Sequence, residues 1–437
     1  MNVCLPPQPR LSRRRFLSLA AAASAVPILT GCADTFTSDD EDGITLNLWY
    51  WNRSILDGLF PMFEGENAGI RVNNQKIGGS YGSAFRTTLA GKAFVPDVAA
   101  LNVDVATYFP AEDQFEDLQE LGATAVKDQY LEWKWQAGVT SSGKMIAFPM
   151  DTGPTALFYR ADLFDQAGLP SEPADVEAAM GTWEDFFQAG AQLSGALPEV
   201  SLTTAVPNIL GQVISQGADV YVSRDNAYIG NQDHMRRAWD IAAGAKRLGV
   251  AVEVDPFTPD WSAAMNNGRV ATFVGAVWMK QPLLEGAPDT AGNWRVARPP
   301  GGAGNNGGSF MAIPTATNHA EDAYRLVEFL QSPANQLRAY SELSLFPSTP
   351  EVFDTPEMNH PEPFYGGQNT TEVFAAVARE IPNYYFDPSY NIVNGILMQE
   401  ITNVASLDKD PDVAWDDAQS RIRRELAHKM PSVALDG

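Results

Sequence analysis

The chain has 437 residues, 54 acidic side chains against 30 basic ones, two cysteines and four histidines. A net charge of −24 opposes binding to phosphate backbones or anionic membrane surfaces, so no nucleic-acid role is expected. Two cysteines cannot build a disulfide framework, and the histidines at 234, 319, 360 and 428 have no close ligand spacing, so neither a metal nor a cofactor is expected.

Residues 1–31 carry Arg10, Arg13, Arg14 and Arg15 and no acid, followed by an apolar run from Phe16 to Leu29. That run is too short to cross a hydrocarbon core of about 30 Å, and it reads as a signal peptide. Ser12-Arg13-Arg14-Arg15-Phe16-Leu17 is similar to a twin-arginine export signal, with an ordinary secretory signal as the alternative. Leu29-Thr30-Gly31-Cys32 resembles the bacterial lipobox, which makes Cys32 the expected lipidation site and the membrane anchor. Residues 32–42, with Asp34, Asp39, Asp40, Glu41 and Asp42, read as a flexible acidic tether. Losing residues 1–31 removes four arginines and no acid, so the exported remainder is the more acidic part.

Ile44, Leu46, Leu48 and Tyr50 alternate with polar or aromatic neighbours, which predicts a first strand over Gly43 to Trp51. Ser54 to Asp57 fits a capping box, opening a helix with Leu56, Leu59, Phe60 and Phe63 on one face, although Pro61 falls inside it. Ile70 to Ile77 predicts a second strand, Ala84 to Ala93 a helix and Pro96 to Asn102 a buried strand. Such alternation points to a parallel sheet covered by helices. Gly143 to Pro149 and Thr155 to Arg160 read as strands, and Thr182 to Asp185 as a second capping box, before a helix with Phe186, Phe187 and Leu193 inward. Arg269 to Val277 predicts an apolar strand ending at Trp278. Ala323, Leu326, Val327 and Leu330 mark a helix face, and Ser332-Pro333 and Asp410-Pro411 are helix starts. The Pro/Gly/Asn stretch from Pro299 to Gly308 suits a crossing between domains.

Two motifs suggest enzymes. Gly78-Gly79-Ser80-Tyr81-Gly82 matches G-x-S-x-G between a strand and a helix, as a nucleophile elbow requires, but no oxyanion-type HGGG precedes it. Gly302 to Gly307 matches G-x-G-x-x-G, yet prolines precede it and a strand follows, the reverse of a dinucleotide site.

Several stretches together resemble the extracellular solute-binding proteins of family 1, the maltodextrin-binding class that feeds ABC importers. They are Leu46 to Trp51, Pro96-Asp97-Val98, Gly143 to Pro149 running on into Leu157 to Phe164, Asn267 to Ala271 with Gly275 to Trp278, Gly307 to Ser309 with Ala312 to Pro314, and Ala323 to Ser332 before Phe346-Pro347. Arg160 and Arg269 replace the asparagine and lysine usual there. The resemblance implies an α/β, two-lobe periplasmic-binding-protein-like fold (type II) with a hinge crossed three times, near Ala147 to Asp151, Arg295 to Gly302 and Leu345 to Ser348. One lobe would be 43–148 plus 303–345, the other 149–302 plus 346–437. It also implies a monomer that is no enzyme, holds a mono- or oligosaccharide between its lobes and delivers it to the transmembrane permease subunits of an ABC importer.

Sugars present hydroxyl rims and apolar faces, so aromatic plates and planar polar groups at strand ends are the expected contacts. By position these are Trp51, Asn52, Arg53, Ser80, Asp104, Asp151, Thr152 and Trp278; by resemblance Tyr390, with Tyr384 and Tyr385 undecided. Trp49 and Tyr50 are open between core and cleft, whereas Phe186, Phe187, Phe329 and Trp415 read as core, and Asp104 could equally cap a helix. With Arg53 the one base placed in the cleft, a phosphate ligand is disfavoured. The alternatives are a non-sugar solute (a glycerophosphodiester, a compatible solute or a peptide) or a secreted hydrolase using Ser80.

Overall fold

A computed structural model describes residues 43–435. The export signal, Cys32 and the tether lie outside the described residues. Its strands are β1 (Ile44–Tyr50), β2 (Ile70–Lys76), β3 (Val98–Leu101), β4 (Phe148–Pro149), β5 (Asp151–Thr152), β6 (Thr155–Arg160), β7 (Thr272–Ala276), β8 (Trp294–Ala297), β9 (Phe310–Ala312) and β10 (Phe346–Pro347).

Five of them form one sheet in the order β2-β1-β3-β9-β4, with β1 parallel to β2 and β3, and β9 antiparallel to both β3 and β4. The predicted alternation places Leu46, Leu48 and Tyr50 inside. A wall of apolar side chains from Phe60, Phe63, Leu326 and Leu330 packs on that face, and Phe85, Tyr108 and Phe115 pack on the other. All four residues of β3 are buried, as a strand covered on both faces must be.

A second sheet has the order β7-β6-β8, antiparallel throughout. Helices cover it on both sides: Trp183, Phe186, Leu210 and Trp239 belong to one core, and Trp261, Phe273, Trp294 and Phe374 to the other. Thr182 Oγ1 accepts from the backbone N–H of Asp185 at 3.1 Å and starts the helix Trp183–Ala196 as the capping box predicts. Asp410 caps the helix Pro411–Lys429 through the N–H groups of Asp412 and Val413.

The chain passes between the two sheets three times. β4 leads out of the first sheet and β6 enters the second; β8 leads back to β9; and β10 lies on the third passage, pairing with β5 on the first. Pro299 to Gly308 is the second of these passages, where the sequence suggests a crossing.

Several boundaries differ from expectation. Ser54 is not a cap: its hydroxyl donates to Trp51 O at 2.7 Å, and the helix Leu59–Glu66 starts later, so that Pro61 falls in the first turn where no intrahelical N–H is needed. The next helix, Tyr81–Gly91, starts ahead of Ala84 because Tyr81 is drawn inward, its hydroxyl donating to Ala100 O at 2.7 Å. Only Phe148–Pro149 of the stretch from Gly143 is strand. The strand predicted to end at Trp278 stops at Ala276, and Trp278 sits on a 3-10 turn, Val277–Met279. Ser332 precedes the helix Pro333–Leu343 without capping it; its hydroxyl donates to Phe329 O at 3.0 Å.

Candidate functional site

Two cavities meet at Asp104, which follows β3 at the end of the first sheet. The first, of about 710 Å³, is lined by Trp51 and Asn52 after β1, the loop Gly78–Ser80 after β2, and Arg86, Asn102 and Tyr108. The second, of about 380 Å³, is lined by β7 and the turn after it, by the passage Asn305–Gly307 and by the helices Val206–Ser215 and Tyr390–Leu407.

In the first cavity Trp51 tilts against Tyr81 at 5.1 Å between ring centroids. Both cations there are paired: Lys76 Nζ lies 2.5 Å from Asp57 and Arg86 Nη1 lies 3.6 Å from Asp104. Burial pushes the Tyr108 hydroxyl up to about 12, with Arg86 pulling it down and Asp104 pushing it up. The Ser80 hydroxyl donates to Ser83 Oγ at 2.9 Å, and no histidine lines this cavity. The G-x-S-x-G loop is therefore a glycine-rich turn that lines a cavity, without the base a serine nucleophile needs.

The second cavity is aromatic and amide-rich. Phe257 and Trp278 stack at 5.9 Å with 16° between planes, and Trp278 Nε1 donates to Asn306 O at 2.8 Å, which fixes the indole. Phe257 is 66% exposed and held at φ +66°, a conformation that a non-glycine residue rarely adopts. Across the cavity Phe386 and Tyr390 meet at 4.5 Å, and burial first, then Asp387, pushes the Tyr390 hydroxyl up to about 12. Asn208, Gln212, Asn391 and Asn394 add amides, and among the lining side chains there is no lysine, arginine or histidine. Asp104 is the single carboxylate.

Of the residues singled out in the sequence, Trp51, Asn52, Ser80 and Asp104 line the first cavity, and Asp104, Trp278 and Tyr390 line the second. Five others are placed elsewhere. Arg53 is exposed and lines neither cavity. Asp151 and Thr152 are parts of the passage between sheets: Asp151 Oδ1 accepts from Ser309 N at 2.8 Å, and the buried Thr152 hydroxyl points at Pro347 O at 3.1 Å. Tyr385 turns to a separate cavity of about 250 Å³, with the Arg224 guanidinium over its ring at 4.9 Å. Tyr384 is buried and takes a hydrogen bond from Asn305 Nδ2 at 3.3 Å. Sequence reasoning missed Phe257, Phe386 and the amides. The one available signal was Asn208 and Gln212, four residues apart on a helical stretch that is otherwise apolar as far as Ser215.

Comparison with known proteins agrees with this architecture. A family model described as bacterial extracellular solute-binding protein matches residues 59–364, more than half of the chain. The arabinooligosaccharide-binding protein of Halalkalibacterium halodurans is 24% identical over 63% of this chain; the match spans 66% of that relative, just under two thirds of its length. A crystal structure of an extracellular solute-binding protein of family 1 superposes with a TM-score of 0.84, at 24% identity, over 87% of this chain and 99% of its own. A binding protein from B. animalis subsp. lactis Bl-04 in complex with beta-1,6-galactobiose gives a TM-score of 0.71 at 19% identity, over 91% of this chain and 100% of its own. The fold is thus the two-lobe type II arrangement with its thrice-crossed hinge. The matched family consists of solute-binding proteins, not enzymes, and the chain belongs to it: it is a bacterial extracellular solute-binding protein.

Proposed function

We propose that this protein captures a neutral carbohydrate, a mono- or oligosaccharide, between its lobes and hands it to the permease of an ABC importer. The observation that carries this reading is the composition of the second cavity: a stacked aromatic pair and several amides, with no cation. Aromatic faces suit the C–H faces of a sugar ring, and amides both give and take hydroxyl hydrogen bonds. Relatives named for arabinooligosaccharide and lactose binding support the same class. The lobes would comprise 43–148 plus 303–345 and 149–302 plus 346–437, closing on the sugar by a hinge motion. Cys32 would carry the lipid that holds a monomer at the outer face of the membrane, after export by the twin-arginine route.

An anionic solute is the second reading, because the first cavity contains Lys76 and Arg86 rather than Arg53. Each already faces a carboxylate, which offsets its attraction for an anion. A thermal-shift panel of arabinotriose, lactose, beta-1,6-galactobiose, maltotriose, glycerol 3-phosphate and glycerophosphoglycerol separates the two. A neutral sugar should raise the melting midpoint, and a response confined to the charged solutes would overturn the carbohydrate reading.

A further inference from the structure

Asn208 and Gln212 lie one helical turn apart on Val206–Ser215, on the side that lines the second cavity. Leu210 and Ile214 of the same helix are buried in the core, so the helix is anchored without them. Gln212 is 6% exposed, yet its Oε1 has no partner in the protein, and neither has Asn208 Nδ2. Trp261 Nε1, in the wall of the same cavity, is also unpartnered. Nine buried side-chain atoms of this kind occur among the described residues, and three of them line this one cavity. Leaving such a group unpaired carries its full desolvation cost, whereas an apolar side chain of similar shape at either position would cost nothing of the kind.

We infer that Gln212 and Asn208 are the residues that choose the sugar. Gln212 Oε1 accepts a hydroxyl hydrogen, and Asn208 Nδ2 donates to a hydroxyl oxygen of the same ring, whose apolar face lies toward Trp278. The site thereby selects a neutral ring unit with free hydroxyls along one edge and rejects rings substituted or deoxygenated there. Its buried acceptor and donor would otherwise stay unpaired, the arrangement that discriminates most strongly between analogues. This assignment rests on the carbohydrate reading.

The test pairs affinity with stability in Gln212→Leu and Asn208→Leu, using whichever of arabinotriose, lactose, beta-1,6-galactobiose and maltotriose binds the wild type most tightly. Each variant should bind that sugar at least tenfold more weakly, while its ligand-free melting midpoint stays level or rises. Unchanged affinity in both variants, or a fall in the ligand-free midpoint that accompanies the loss, would overturn the assignment while leaving the carbohydrate reading in place. If no sugar in the panel binds the wild type, the reading itself fails and the assignment falls with it.

Discussion

Asn391 Nδ2 donates to Asp104 Oδ2 at 3.3 Å across 287 positions of sequence. Asp104 follows a strand of the first sheet, and Asn391 lies in the first turn of the helix Tyr390–Leu407, which packs in the core of the second. The contact therefore bridges the two halves at the point where both cavities meet, and Arg86 Nη1 lies 3.6 Å from the same carboxylate oxygen. Because the pair is partly solvated, removing it should cost about 0.5–1 kcal/mol, or two- to fivefold in sugar affinity. Titration calorimetry of Asn391→Ala, Asp104→Ala and the double variant checks this: the two effects should be less than additive.

Phe257 is exposed and strained, and its one evident role is to extend the face of Trp278. Phe257→Gly should relieve the positive φ and raise the ligand-free melting midpoint slightly, while weakening sugar binding by about 1 kcal/mol. Differential scanning calorimetry and titration with the same sugar give the two signs.

Lys134, on the short helix Glu132–Gln136, is buried with its ammonium 3.4 Å above the Phe310 ring. Burial pulls its ammonium down to about 7, and Asp151 pulls it back up. In the unfolded chain it titrates near 10.4. Between these values the unfolded state binds the extra proton, so this group adds stability as pH rises from about 7 toward 10, at up to about 1.4 kcal/mol per pH unit. Below pH 7 the penalty for burying the charge is fully present. Urea unfolding at pH 7.0 and 9.5 should show stability rising more steeply for the wild type than for Lys134→Met; parallel pH dependences would show that Lys134 is charged throughout.

Gly308 adopts φ +88°, and a Cβ there would stand 2.7 Å from Asp151 O and 3.0 Å from Lys134 Nζ. Gly308→Ala is expected to destabilise the protein by about 1–3 kcal/mol through strain and crowding on the second passage. Its urea midpoint should fall even without ligand, unlike that of the cavity variants.

The fold was legible where periodicity reports burial. The alternation at Leu46, Leu48 and Tyr50 and the cap at Thr182 translate directly into β1 and the helix Trp183–Ala196. Ser54 misled because a serine hydroxyl closes a local turn as readily as it caps a helix. At the site, strand ends pointed to Trp51, Asp104 and Trp278, since ligand groups of an open sheet collect there. Asn208, Gln212 and Phe257 come from helices and loops of the second half, and which of their faces meets the cavity is decided by tertiary packing. Asp151 and Thr152 lie on the first passage, and their polar groups are taken by the backbone of the other passages.

A sugar held in the second cavity would lie against Trp278. Tryptophan emission tests it most directly, by titrating the wild type and Trp278→Phe with the sugar that gives the largest thermal shift. Among the chain's ten tryptophans, Trp278 should carry the response: a saturable change with a dissociation constant of about 1 μM, roughly −8 kcal/mol, in the wild type and little or none in the variant. A full-sized change that survives in Trp278→Phe would mean that no sugar rests on Trp278.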